Sequence, residues 1–272
     1  MIAYDPKNWI RVLLDFPRSP IFRTLFLDVV GAGLWAALVV WVETDVIRVA
    51  VPLGPSFLSI LGIILGLLLV FRTNTAYDRW WEGRRLWGQL VNVSRGIARH
   101  LVIAPLERRA RYATMLAEFP GALATHLRRE RGAGGPHFPN RVISDLHTEI
   151  RADAEAGHLG PDALLRLAPL LQQFDDVLGA CERIRNTPIP FSYSSYVKQF
   201  VLLYALIMPF GLVKEFGYGT VIACMFTFFA TMGLELLAGE IEEPFGTDRN
   251  DLPLEDIGGV IARDVRAILV DN

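Results

Sequence analysis

Residues Ser56–Leu101 read SFLSILGIILGLLLVFRTNTAYDRWWEGRRLWGQLVNVSRGIARHL, and their reading decides the fold. From Ser56 to Phe71 there is no charge, and apolar residues occupy every helical face. From Arg72 onward the character changes. Tyr77, Trp80, Trp81, Arg84, Trp87 and Val91 recur at three- and four-residue steps, which predicts a helix with an aromatic face that packs on other helices. No proline interrupts Ser56–Ala104, so one very long helix or a broken one is allowed. Ser56–Phe71 alone is short for a membrane span, and the helix is expected to continue past Arg72.

Three further apolar runs flank this segment. Thr24–Val42 is nineteen residues long, about 28 Å as a helix, which is one hydrocarbon thickness. Asp28 lies one turn inside it, either at the headgroup edge or facing protein or water. Gln199–Val213 and Phe216–Leu234 form the other two runs, and the link with Lys214 and Glu215 reads as a hairpin turn. The expected spans are 24–42, 56–72, 198–213 and 216–237, with a helical region over 73–196 and a last segment over 238–272. Four spans place both termini on one side. Lys7, Arg11, Arg18 and Arg23 flank the first span, Arg72, Arg79, Arg84, Arg85 and Lys198 flank the second and third, and the first loop holds only Arg48. The bias of basic residues puts both termini and the middle region in the cytoplasm.

Composition agrees. Of 272 residues, 52% are hydrophobic and only 21% are charged, which makes an ordinary soluble enzyme a poor match. A net charge of -2 supplies no positive field for nucleic acid. Cys181 and Cys224 fit no metal-ligand spacing and are expected to be reduced and packed. The N-terminal stretch is not a signal peptide. Trp9, Val12, Leu13 and Phe16 suit a short amphipathic helix, lying on lipid or docked on the protein.

Within the middle region, helices are expected after Pro105, over Arg141–Ala156 and after Gly160, with a kink or break at Pro169. The segment ERGAGGPHFPN reads as an exposed loop, and TPIPFSYSSY as extended chain. Asp78 and Glu82 are placed to pair with Arg85 along one helix face, and Arg108, Arg109 and Arg111 read as a solvated face. No phosphate-binding loop, dinucleotide fingerprint or zinc-protease motif is present, and none of His100, His126, His137, His147 and His158 forms a close metal pair in sequence. These absences favour transport over catalysis.

Ile63, Leu67 and Phe71 stand four residues apart, drifting about 40° per step around the helix. Several copies around an axis would stack them as apolar rings, which exclude water and gate by dewetting. Packing inside one chain, or lipid contact, accounts for the same spacing. Gly62 and Gly66 make a small-xxx-small pair beside the stripe that permits close helix approach.

FRTNTAYDRWWEGRRLWG (Phe71–Gly88), TPIPFSYSSY (Thr187–Tyr196) and GEIEEPFGTDRNDLPLED (Gly239–Asp256) together resemble bacterial members of the bestrophin family of ion channels, in order and over nearly the whole chain. The resemblance implies an all-α, four-span subunit with a helical cytosolic region, one channel domain over 1–272, and a cyclic homopentamer around an axial pore. It implies a bacterial inner-membrane protein whose partners are its own copies, lipids and small monovalent ions. Ile63, Leu67 and Phe71 match the family's pore neck, the same residues that the spacing selects. The middle position is Leu, where animal members carry Phe. Ile184 is the candidate for the family's second, cytosolic constriction, with Leu178 as a competing choice. Asp248 and Asp251 match acidic calcium ligands of animal members, but Arg249 interrupts the acidic run; no cofactor is required, and calcium is the one candidate. Glu235 and Glu240 are alternatively placed to pair with basic residues of the long helix. By family default the conducted ion is chloride or another anion. A sodium-like monovalent-cation channel of the same architecture is the first alternative, and a non-conducting membrane scaffold the second. A membrane-bound haem protein is disfavoured because the apolar runs hold no histidine.

Overall fold

A computed structural model describes residues 20–48, 53–128, 137–160 and 162–271. The described residues form eight α-helices: α1 (Pro20–Trp41), α2 (Pro55–Leu101), α3 (Leu106–Arg128), α4 (Phe138–Glu155), α5 (Ala163–Asn186), α6 (Phe191–Phe216), α7 (Gly219–Ile241) and α8 (Leu254–Leu269). The chain is all-α. α2 is one unbroken helix of 47 residues, about 70 Å long. Proline-free sequence permits this length, and apolar packing at both of its ends supplies what propensity alone would not.

Two compact units divide the chain. Of the described residues, the apolar unit holds those within 20–78 and 189–242, and the polar unit those within 79–188 and 243–271. In the apolar unit, α1 packs on α6 and α7, and α6 packs on α7. Among the described residues, four helices are long and apolar enough to cross a membrane: α1 with the turn that follows it, α2, α6 and α7. The chain is therefore a multi-span membrane protein. Val42–Val46 continues α1 as a π-helical turn, closed by the Ile47 N–H on the Val42 carbonyl at 2.8 Å.

α6 runs through Lys214 and Glu215 to Phe216, so the hairpin turn falls at Gly217 and Tyr218 rather than at the charged pair. Gly217 has φ +52°, a value a side chain would resist, and its N–H closes on the Val213 carbonyl at 2.8 Å. Only 187–190 of TPIPFSYSSY is non-helical; α6 starts at Phe191, directly after Pro190 in an extended conformation (ψ 129°). Proline restricts the residue before it, not the residues after it, so Pro190 ends the extended stretch instead of prolonging it.

The polar unit closes one core. α3 packs on α8 and α4, and α4 on α5. Trp87, Leu90, Ile97, Leu101, Tyr112, Leu116, Phe119, Leu123, Phe174 and Val265 are fully buried in it. Phe119 and Phe174 meet as tilted rings 4.6 Å apart. Pro169 sits inside α5 without breaking it. The aromatic stripe of α2 splits: Trp87 is core, Trp80 is half-buried and donates its indole N–H to the Asn250 carbonyl at 2.9 Å, and Tyr77 and Trp81 remain exposed.

Several charges in this unit link helices, while Arg141–Asp145 and Arg151–Glu155 pair along α4. Glu82 pairs with Arg183 at 2.7 Å instead of with Arg85. Arg108 and Arg111 both reach Glu149 of α4, at 2.8 and 3.0 Å, and Arg109 donates to the Ala104 carbonyl, so the basic cluster is anchored rather than solvated. Buried Asp153 accepts the Tyr112 hydroxyl at 2.6 Å and faces Arg108 and His158. Burial, then that hydrogen bond, pushes the Tyr112 hydroxyl above its ordinary range. Both cysteines are free and buried, and burial pushes the Cys181 thiol up to about 12. The N-terminal amphipathic segment and most of the ERGAGGPHFPN loop lie outside the described residues.

Candidate functional site

The N-terminal part of α2 presents two faces. Leu58, Leu65, Leu69, Arg72 and Ala76 are buried, at helical spacing, against α6 and α7 and the turn before α6. The opposite side stays free on the chain's surface. Ile63 is 72% exposed, Leu67 56% and Phe71 55%, and Ile60, Ile64 and Val70 flank them. The stripe is therefore not consumed by packing within its own unit. Gly62 and Gly66 differ in use. A Cβ at Gly62 would meet the Tyr204 hydroxyl at 3.0 Å, so Gly62 admits α6, whereas Gly66 faces open space.

The lower end of the stripe is tied down by polar contacts. Arg72, next to Phe71, is buried and donates to Glu242 at 2.7 Å. The other oxygen of Glu242 accepts the Ile189 N–H at 2.8 Å, which joins α2, the start of α6 and the end of α7. Arg72 Nε and Nη1 have no partner among the described residues. The Tyr193 hydroxyl donates to the Leu68 carbonyl at 3.2 Å, and Thr73 and Thr75 donate back to the carbonyls of Leu69 and Phe71. Glu235 reaches Lys198 of α6 at 3.8 Å, so the basic residue of the long helix is paired by Glu242 instead. Asp28 is exposed and lines a crevice of about 510 Å³ with Lys198, Trp35 and Phe228.

Ile184 is 2% exposed and packs in the core of the polar unit, as does Leu178. The Ile184 backbone carbonyl accepts from Arg79 at 2.6 Å, and Arg79 also donates to the Thr187 carbonyl. In the loop after α7, Asp251 is 3% exposed, and its Oδ2 accepts the Asp248 N–H at 2.6 Å, capping its own turn. The carbonyls of Phe245 and Gly246 accept from the Arg128 guanidinium at 3.2 Å. Glu243, Asp248 and Asn250 stand exposed in this loop.

One cluster escaped sequence reasoning. His126 at the end of α3, His137 at the start of α4 and Glu182 of α5 converge, with their ligand atoms all within 4.8 Å of one another. Both Nε2 atoms meet Glu182 Oε1, at 2.7 and 2.8 Å. The two histidines are eleven positions apart with a glycine-rich stretch between, a spacing that matches no metal motif, so only the packing of α3 on α4 and α5 reveals the pair.

Comparison with known proteins places the chain. The family model for bacterial and fungal bestrophin proteins matches residues 1–133 and 129–267. The voltage-dependent anion channel-forming protein alr2987 of Nostoc sp. is 33% identical over 95% of this chain and 91% of its own length. The protein of the same description from Synechocystis sp., sll1024, is 32% identical over 93% of this chain and 89% of its own length. The crystal structure of a bacterial bestrophin homologue from Klebsiella pneumoniae matches with a TM-score of 0.80 at 28% identity, covering 90% of this chain and 98% of that one. With its four apolar helices and its all-α fold, the chain belongs to the bacterial and fungal bestrophins, a family of membrane proteins that is not catalytic.

Proposed function

We propose that five copies of this chain assemble into a channel that passively conducts small monovalent anions through a neck lined by Ile63, Leu67 and Phe71. The observation that carries this reading is the free stripe on α2, whose opposite face is packed against its own chain. Side chains so exposed meet either lipid or a neighbouring copy. Repetition around an axis turns three side chains into three apolar rings. An ion passing such rings loses water without gaining a charged partner, so the neck controls hydration and opening rather than charge choice. Gly66 leaves room for a neighbouring helix beside the stripe. The Arg72–Glu242 pair, anchored by Ile189, fixes the rotation of α2 and hence the direction of the stripe.

The relatives' description as anion channel-forming proteins supports an anion as the ion conducted. Phe71 offers an electropositive ring edge, which Leu67 lacks. The channel sits in the bacterial inner membrane with both termini in the cytoplasm, as the basic flanks of the second and third spans suggest. Both units act as one channel domain over 1–272. Ile184 contributes no second ring, because its side chain is already committed to a core.

Purified protein in planar bilayers tests the reading. Currents are expected, with a reversal potential that follows the chloride gradient. A reversal potential that follows sodium or potassium would overturn anion selectivity and keep the pore. Sealed vesicles that hold inserted protein yet pass no ion would overturn the channel itself.

A further inference from the structure

We propose that His126, His137 and Glu182 form a binding site in the polar unit for a borderline divalent metal ion, with zinc the best match. Three separate helices each contribute one ligand: α3 by His126, α4 by His137 and α5 by Glu182. Both imidazole Nε2 atoms already point at one carboxylate oxygen, at 2.7 and 2.8 Å. Among the described residues, Glu182 has no lysine or arginine partner, so the two rings are its only cationic or donor neighbours. Neighbouring Arg183 is engaged elsewhere, with Glu82.

Zinc takes imidazole nitrogen at about 2.0–2.1 Å and carboxylate oxygen at about 2.0–2.2 Å. Tetrahedral ligands at those lengths lie about 3.3 Å from each other, so the two contacts must each open by about 0.6 Å. All three side chains are half-buried, which leaves space for that movement and for a water as the fourth ligand. Two nitrogens and one oxygen suit zinc and disfavour magnesium and calcium, which prefer all-oxygen shells.

His137 makes the proposal sharper. Its Nδ1 accepts the Asn140 N–H at 3.3 Å, capping the start of α4. A neutral ring that accepts at Nδ1 carries its proton on Nε2. Metal at Nε2 moves that proton to Nδ1, and the cap on Asn140 is given up. Zinc therefore ties α4 to α3 and α5 while releasing one backbone N–H of its first turn.

The test uses the full chain in detergent, stripped by chelator and titrated with zinc chloride. About one zinc per chain is expected, undisturbed by a hundredfold excess of calcium or magnesium. Glu182→Gln, which keeps the hydrogen bonds, should weaken binding at least about tenfold, and H126Q/H137Q should abolish it. Circular dichroism and monodisperse elution confirm that each variant is folded. Amide exchange at Asn140 should rise on zinc addition. Failure to bind zinc stoichiometrically, or equal binding by a folded H126Q/H137Q variant, would overturn the site. Unchanged exchange at Asn140 with zinc bound would overturn the assignment to His137 Nε2.

Discussion

The two ends of α2 are one helix in two different solvents. Toward its N-terminus nearly every residue is apolar, and more than half of them stand on the surface: Ile60, Ile63, Leu67 and Phe71 are exposed while Leu58, Leu65 and Leu69 are buried. Toward its C-terminus the apolar residues are few, and they are the core: Trp87, Leu90, Val93, Ile97, Ala98 and Leu101 are buried with polar residues between them. In the second region hydrophobicity predicts burial, because water penalises any exposed apolar side chain. In the first it predicts only lipid or a partner surface, because a hydrocarbon solvent makes apolar exposure inexpensive. What holds the first region is therefore specific: the Arg72–Glu242 pair, close approach at Gly62, and hydroxyl contacts to backbone carbonyls.

That contrast can be broken by substitution. The largest expected effect is Trp87→Ala in the core of the polar unit, a loss of about 4 kcal/mol, read by denaturant unfolding in detergent. Trp87→Phe should cost much less, since the indole N–H has no partner among the described residues. A small loss for Trp87→Ala would deny the core its central residue. Next comes Arg72→Ala, which removes the cation paired with the largely buried Glu242 and should cost about 3 kcal/mol. Replacing both partners, Arg72→Met with Glu242→Gln, should recover part of that loss; no recovery would mean the pair is not the cause.

A smaller effect is set by pH. Arg128, which hydrogen-bonds Glu255, holds its carboxyl below the usual carboxylate range. Its stabilising share is thus full above the unfolded value and disappears as pH falls through the lowered folded value. Glu255 is largely exposed, so Glu255→Gln should change stability at neutral pH by less than about 0.5 kcal/mol. The smallest effect on folding is expected at the stripe itself. Ile63→Ala should leave stability within about 0.5 kcal/mol, and a loss of several kcal/mol would mean that Ile63 packs inside its own chain.

The same contrast explains what was legible in the sequence. The proline-free stretch allowed α2 to be one helix or a broken one, and the structure shows it unbroken. The four apolar runs and the helices after Pro105, Arg141 and Gly160 follow from hydropathy, periodicity and proline placement. Pairings between distant helices did not. Glu82 meets Arg183 and Glu149 meets Arg108 because tertiary packing brings the helices together, and spacing along one helix cannot see that. The histidine pair was hidden for the same reason. Asp251 matched a calcium ligand in pattern, and the structure adds that its Oδ2 accepts the Asp248 N–H within the same turn, a detail fixed by turn geometry. The stripe of Ile63, Leu67 and Phe71 was legible as a face, and the structure adds that this face is left free.

The central claim is that this free face lines a shared pore. Leu67→Cys tests it most directly, because the two native cysteines are buried. Single-channel currents of the variant in bilayers are recorded before and after a water-soluble, charged, thiol-reactive reagent. A pore lining predicts that modification sharply reduces or reshapes the current, with wild-type currents unaffected. Currents that persist unchanged while mass spectrometry shows the introduced thiol modified would contradict the account.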